Sequence, residues 1–200
     1  MKKFLTVAGL AAVMAMPALA ANTTWNLDPF HTNAQFFVKH LGISTVQGEF
    51  TKVTGSVMLD DQDVTKSSVN VTVDVNSIDT RVQRRDDDLK SEGFFDGAKF
   101  PAITFKSTKI EKAGEGNLKV TGDLTIKGVT KSVTLDVTGP TAPISAMGSQ
   151  RRGFSATTKI NRNDFGVSKD PAPMIGDEIT ILLDGEMALP PPPKPQGGSQ

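Results

Sequence analysis

Leu118-Lys119-Val120-Thr121-Gly122-Asp123-Leu124-Thr125-Ile126 alternates strictly, with apolar residues or glycine on even numbers and polar residues on odd ones. Successive strand residues point to opposite faces, so the stretch carries one apolar face and one polar face. Beyond the turn at Lys127-Gly128, Val133, Leu135 and Val137 repeat the pattern. Val69, Val71, Val73 and Val75 repeat it upstream, and Ile179, Ile181 and Leu183 repeat it downstream. The alternation predicts strands near 23–27, 33–40, 46–59, 68–76, 101–111, 117–127, 130–138, 151–160 and 178–189. Within 46–59 the apolar parity switches: Val46, Gly48 and Phe50 are even, whereas Val53, Val57 and Leu59 are odd. A bulge or bend near Thr51–Lys52 would reset the register. Eight or nine one-faced strands joined by short turns predict an all-β antiparallel barrel or sandwich, and closing the sheet removes its sticky edges.

One segment departs from the alternation. Val82-Gln83-Arg84-Arg85-Asp86-Asp87-Asp88-Leu89-Lys90 is charged, lacks β-branched alternation and suits a short helix. Phe94-Phe95 and Phe100 follow it closely. The stretches 139–150 and 167–177 are rich in Gly, Pro and Ser and read as loops.

The ends carry compartment signals. Met1-Lys2-Lys3, an apolar run from Phe4 to Met16 and Pro17-Ala18-Leu19-Ala20 have the layout of a cleaved secretory leader, 1–20. The expected destination is the periplasm. The expected mature domain is 21–189, followed by a Pro/Gly-rich tail at 190–200. Without the leader's two lysines, 20 basic residues face 22 acidic ones, which argues against nucleic acid as a partner. The sequence has no Cys and no Tyr, which excludes disulfides, thiol chemistry and phenol chemistry.

Catalytic signals are sparse. No Gly-x-Ser-x-Gly, His-Glu-x-x-His or phosphate-cradling glycine loop is present. The two histidines, His31 and His40, are nine residues apart, so an unbroken strand would put them on opposite faces. A metal site using both would need a break between them and a carboxylate such as Asp28. Arg81, Arg84 and Arg85 read either as a solvated helix face or as contacts to an anionic head group at a barrel mouth. The strand phenylalanines read either as packed core or as the wall of a ligand cavity, because a small barrel is either filled or left open for one ligand.

Five ordered blocks carry a resemblance. They are Trp25-x-Leu27-Asp28-x-x-His31 continuing through Phe36, Val38, His40 and Gly48 to Phe50; Arg85-Asp86-x-x-Leu89-Lys90-Ser91 with Phe94-Phe95-Asp96 and Phe100-Pro101; Gly122-x-Leu124-Thr125-Ile126-x-Gly128; Ile160-Asn161-Arg162-x-Asp164-Phe165-Gly166-Val167; and Ile175-Gly176-Asp177-Glu178-Ile179. Together the blocks resemble the YceI-like family of periplasmic proteins over nearly all of 24–189. The resemblance implies an extended, eight-stranded, lipocalin-like antiparallel barrel with one helix inserted at about 82–91. It also implies that the barrel interior holds a long isoprenoid, such as a polyprenyl pyrophosphate or a quinone-like lipid. On that basis Phe36, Val38, Phe50, Phe94, Phe95, Phe105 and Phe165 are the candidate tail-binding wall, and His40, Arg85 and Arg162 the candidate head-group contacts. Arg85 and Arg162 rank above Arg81, Arg151 and Arg152 because they sit in the matched blocks. The Pro-rich tail and the long 139–150 loop lie outside the family pattern.

The expected activity is non-catalytic carriage, with the bound lipid as ligand and no other cofactor or metal. Transient membrane contact and a homodimer stay open. Two rivals remain: a filled barrel acting as a stress-related interaction protein through the polyproline tail, and a lipid- or quinone-modifying enzyme using His40.

Overall fold

Lys127 and Gly128 both adopt positive φ (49° and 76°), as a two-residue hairpin turn requires. They join β7 (Asn117–Ile126) to β8 (Val129–Thr138), which pair from Ile126↔Val129 to Asn117↔Thr138. The computed structural model describes residues 22–168, 170–172 and 174–190. The expected leader, and the expected tail after Pro190, lie outside the described residues.

The other strands are β1 (Thr23–His40), β2 (Ser44–Phe50), β3 (Val53–Leu59), β4 (Ser68–Asp74), β5 (Ile78–Asp79), β6 (Ala102–Lys112), β9 (Ile144–Ala146), β10 (Ser149–Asn161) and β11 (Ile175–Ala188). Among the described residues one α-helix, α1 (Gln83–Lys90), lies between β5 and β6. Eight strands close a barrel in the order β1-β3-β4-β6-β7-β8-β10-β11, and β11 returns to β1. Every pairing is antiparallel. β2 continues the wall along the second half of β1, and β5 extends it by two residues.

Three changes of apolar parity each coincide with a break in the ladder. The expected strands 23–27 and 33–40 are one strand, β1, that bulges between them. Its register against β11 shifts between Leu27 and Thr32, so Leu27 and then Ala34, Phe36 and Val38 all reach the interior. The expected bend at Thr51–Lys52 separates β2 from β3. Ser77 holds it: its carbonyl accepts from Thr51 N and its Oγ accepts from Lys52 N. The third change lies in β6, where the register slips between Ser107 and Lys109 and moves the inward set from Ile103 and Phe105 to Ile110. A register slip of one residue would otherwise turn every later side chain to the wrong face.

The fully buried side chains include Val53, Val75, Phe165 and Met187. They come from four separate segments, so the wall itself is well packed. Gly122 marks one close approach, since a Cβ there would lie 2.5 Å from the Lys106 carbonyl oxygen. Backbone cannot yield as a side-chain tip can. Gly122→Ala is expected to destabilise by about 1–3 kcal/mol through overpacking. Urea unfolding would register this as a lower midpoint at unchanged slope, and an unaltered midpoint would contradict the packing described here.

Candidate functional site

The inward faces of the barrel strands do not meet. They enclose an elongated cavity of about 240 Å³. A single water needs only about 10–15 Å³, so this is no packing defect. At one end the wall includes Leu89, Phe94 and Phe95, and at the other Val64, Leu118 and Pro140. Between them lie mainly valine, leucine, isoleucine and phenylalanine, and Arg162 is the only ionisable residue in the described wall.

The seven wall residues named from the sequence, Phe36, Val38, Phe50, Phe94, Phe95, Phe105 and Phe165, all line this one cavity. The Phe36 and Phe50 ring centroids are 5.8 Å apart, and Phe95 meets Phe50 edge-on at 5.7 Å. Phe94 and Phe95 reach the wall because α1 and the turn after it fold back over one end. Phe95 N bonds the Leu89 carbonyl and Phe94 N the Ser91 carbonyl. The helix is itself tied down through buried Asp86, whose carboxylate accepts from Thr80 N (2.8 Å) and Thr80 Oγ1 (2.6 Å).

The three cationic or titratable residues named from the sequence are not brought together. His40 is exposed at the end of β1 and is not part of the cavity wall. Arg85 is half-buried on α1 and donates Nε to Thr80 Oγ1 and Nη2 to the Thr80 carbonyl, both at 2.8 Å. It locks the turn preceding the helix. Arg162 lies in the wall and is only 3% exposed, but its donors are spent on the protein. They meet the carbonyls of Gly176, Val167, Ser168, Asp170 and Ile175, and Asp177 Oδ1. Arg162 is therefore a clamp for the 166–177 connection. A head group would have to displace protein acceptors to reach it.

A polar cluster that sequence reading missed sits on the outer wall, where the β1 bulge meets β10 and β11. Arg151 Nη1 lies 2.5 Å from Asp28 Oδ2 and 2.9 Å from Glu186 Oε2, and His31 Nδ1 lies 3.2 Å from the same Asp28 oxygen. The Arg151 guanidinium, aided by the Phe30 amide, holds the Asp28 carboxyl at about 2 although burial opposes this. Asp28, His31 and Glu186 are close enough to share a metal, yet Arg151 already bonds both carboxylates. Their geometry is that of a wall brace. Adjacent Arg151-Arg152 on a strand was the available signal, because neighbours there must face opposite sides.

With this geometry in hand, the chain can be compared with known proteins. The family model described as YceI-like domain matches residues 25–187. The chain belongs to the YceI-like family. A UPF0312 protein of Vibrio parahaemolyticus, VPA0850, is 40% identical over 186 residues, covering 92% of this chain and 96% of that protein. Among solved structures, the Campylobacter jejuni YceI protein superposes with a TM-score of 0.69 at 32% identity, covering 76% of this chain and 90% of that one. Burkholderia cenocepacia BcnA superposes with a TM-score of 0.71 at 27% identity, covering 80% and 98% respectively. A polyisoprenoid binding domain from Saccharophagus degradans shares the fold alone, with a TM-score of 0.64 at 13% identity over 85% of this chain and the whole of that one.

Two outcomes follow from this geometry. Arg162→Met should destabilise by about 3–5 kcal/mol, as removal of a buried, fully bonded cation does. Arg162→Lys should rescue it poorly, because an ammonium has three donors where the guanidinium has five. Wild-type urea stability in Arg162→Met would contradict the clamp. Asp28 gives the second. Its folded pKa is depressed from 3.8 to about 2, so its stabilising contribution is complete above about 3.8 and is lost as pH falls toward about 2. Asp28→Asn should flatten that part of the acid limb in thermal midpoints measured across pH, and a parallel limb would count against the brace.

Proposed function

We propose that this protein binds a long isoprenoid lipid inside its barrel and carries it through the periplasm. The observation that carries the reading is the elongated, almost wholly apolar cavity running between the two ends of a closed sheet. A closed wall satisfies its backbone internally, so such an interior can stay dry. Each methylene placed in it is stabilised by about 0.8 kcal/mol relative to water. A bilayer offers the tail a similar solvent. Exchange with a membrane is therefore close to balanced, and selectivity rests on tail length and head group.

Three further features support the reading. The structural neighbour from Saccharophagus degradans is described as a polyisoprenoid binding domain. The leader signature at 1–20 favours export. Leu41, Ile43 and Met174 are exposed at one end of the barrel, where Leu41 N bonds the Met174 carbonyl, and they suit brief contact with a membrane during loading. The role is binding rather than catalysis. The wall offers no acid or base among its described residues other than Arg162, whose donors are engaged.

Native mass spectrometry of protein purified without detergent, with lipid extraction, tests the reading. A stoichiometric isoprenoid adduct is expected. Ala156, buried in the wall, is the place to block it. Ala156→Phe should reduce the adduct several-fold while the fold survives by circular dichroism. A clean apoprotein that also refuses added polyprenyl lipid would overturn the proposal and favour a role for the barrel in protein interaction.

A further inference from the structure

One seam of the barrel is barely laddered. β7 and β8 pair from Ile126↔Val129 to Asn117↔Thr138, and β10 and β11 pair from Arg151↔Ala188 to Asn161↔Glu178. Between them, β8 and β10 pair from Ser155↔Thr138 to Thr157↔Asp136. Among the described residues no further β8–β10 pair follows. Residues 129–135 of β8 and 158–161 of β10 therefore run on as facing edges with no ladder between them.

Burial follows the ladder. Val120, Leu124 and Ile126 of β7 line the cavity and are buried. Val133, Leu135 and Ile160, beyond the last β8–β10 pair, line the same cavity but are only partly buried. Ala156, inside the paired stretch, is buried. Thr158 stands where the inward parity of Phe154, Ala156 and Ile160 calls for an apolar residue. Its hydroxyl crosses the seam and donates to the Thr134 carbonyl at 2.9 Å. At the far end of the seam the chain turns at Arg162–Phe165, which packs against β8 and puts buried Phe165 into the cavity wall.

Both ends of the cavity are pinned by charged groups. At one, Arg162 holds the 166–177 connection and Asp86 holds the turn before α1. At the other, Arg152 pairs with Met187, which pairs with Leu27 of the cavity wall, so Arg152 faces inward. Its Cζ lies 5.0 Å from the Trp25 ring centroid, and it donates to Asp61 Oδ1 at 2.8 Å and to the Thr141 carbonyl at 3.1 Å. Hydrogen bonds to ionised groups are roughly twice as strong as neutral ones. Parting the seam at Thr158 breaks one neutral hydroxyl–carbonyl bond and no backbone pair. It opens the cavity from the side, so a long tail need not be threaded through a pinned end.

Resting on the lipid-carrier reading, we infer that the lipid tail enters and leaves the barrel sideways, through the unladdered β8–β10 seam, with Thr158 as its latch. The two ends stay closed during exchange, and the seam sets its rate.

The chain has no cysteine, so an engineered disulfide can lock the seam without competition. Thr134 and Lys159 are exposed and would form the next outward pair if the ladder ran on. The probe is all-trans-retinol, whose fluorescence reports entry in stopped flow and release on dilution. Oxidised Thr134→Cys/Lys159→Cys is expected to load and release retinol at least about tenfold more slowly than the same protein reduced, as for a motion that gates exchange, with Kd little changed. Thr125→Cys/Thr130→Cys is the control, because these hydroxyls already lie 2.8 Å apart in the paired β7–β8 ladder. Its disulfide should leave both rates unaltered. Thr158→Val removes the latch alone and should speed both rates by about 3- to 10-fold, the range of one lost hydrogen bond, again at unchanged Kd. Equal rates in the oxidised and reduced seam, or equal slowing by the control disulfide, would overturn the side passage and leave the carrier reading intact. Wild-type rates in Thr158→Val would overturn the latch. Failure of every form to bind retinol would remove the passage together with the open cavity it serves.

Discussion

β1 and β11 meet along almost their whole length, from Asn26↔Ala188 to His40↔Ile175, and this seam joins the first strand of the chain to the last. Without it the sheet would have two exposed edges and an apolar face open to water. With it, every strand of the ring has a neighbour on both sides, and the inner face becomes an enclosed space. Where the register slips at Asp28–His31, the Arg151 bridge to Asp28 and Glu186 fastens β10 and β11 to the bulged strand. The brace thus sits at the weakest point of the seam.

An eight-stranded barrel is either filled by its own side chains or left open for one ligand, and apolar walls gain by collapsing onto one another. Here collapse is resisted by how the wall is held rather than by what fills it. The 166–177 connection is pinned by Arg162 through five carbonyls, and α1 is pinned by Thr80, Arg85 and Asp86. Both devices lie at one end of the barrel. The other end is closed by Arg152 over Trp25, with Asp61 drawn in from the β3–β4 connection. These polar groups set the spacing of the elements that bound the cavity.

Much of the fold was legible in the sequence because strand periodicity is a local property. The alternation at 118–126 and 133–137, the parity switch at Thr51–Lys52 and the charged run at 82–90 each named an element that the structure contains. The continuity of β1 was hidden, since Asp28-Pro29-Phe30-His31 reads as a loop until β11 pairs on both sides of it. The short β5 and β9 carry too few residues to alternate. In the site, phenylalanines within strands declared their face by parity, and Phe94 and Phe95 stood out beside the charged run. The cations were harder to assign. A motif position does not reveal whether an arginine's donors are already taken, and Arg85 and Arg162 are occupied by Thr80 and by loop carbonyls. Extending the parity of Phe154, Ala156 and Ile160 back by two residues would have placed Arg152 inside.

The central claim is that the interior is a dry, elongated cavity held open by its frame and filled by lipid. Crystallographic density inside the barrel, from protein purified without detergent, tests it most directly. The account predicts continuous tubular density between Phe95 and the Trp25–Arg152 corner, with the wall side chains in the positions described here. An interior closed by its own side chains, with Phe94 and Phe95 packed into the space and no density between them and Met187, would contradict it.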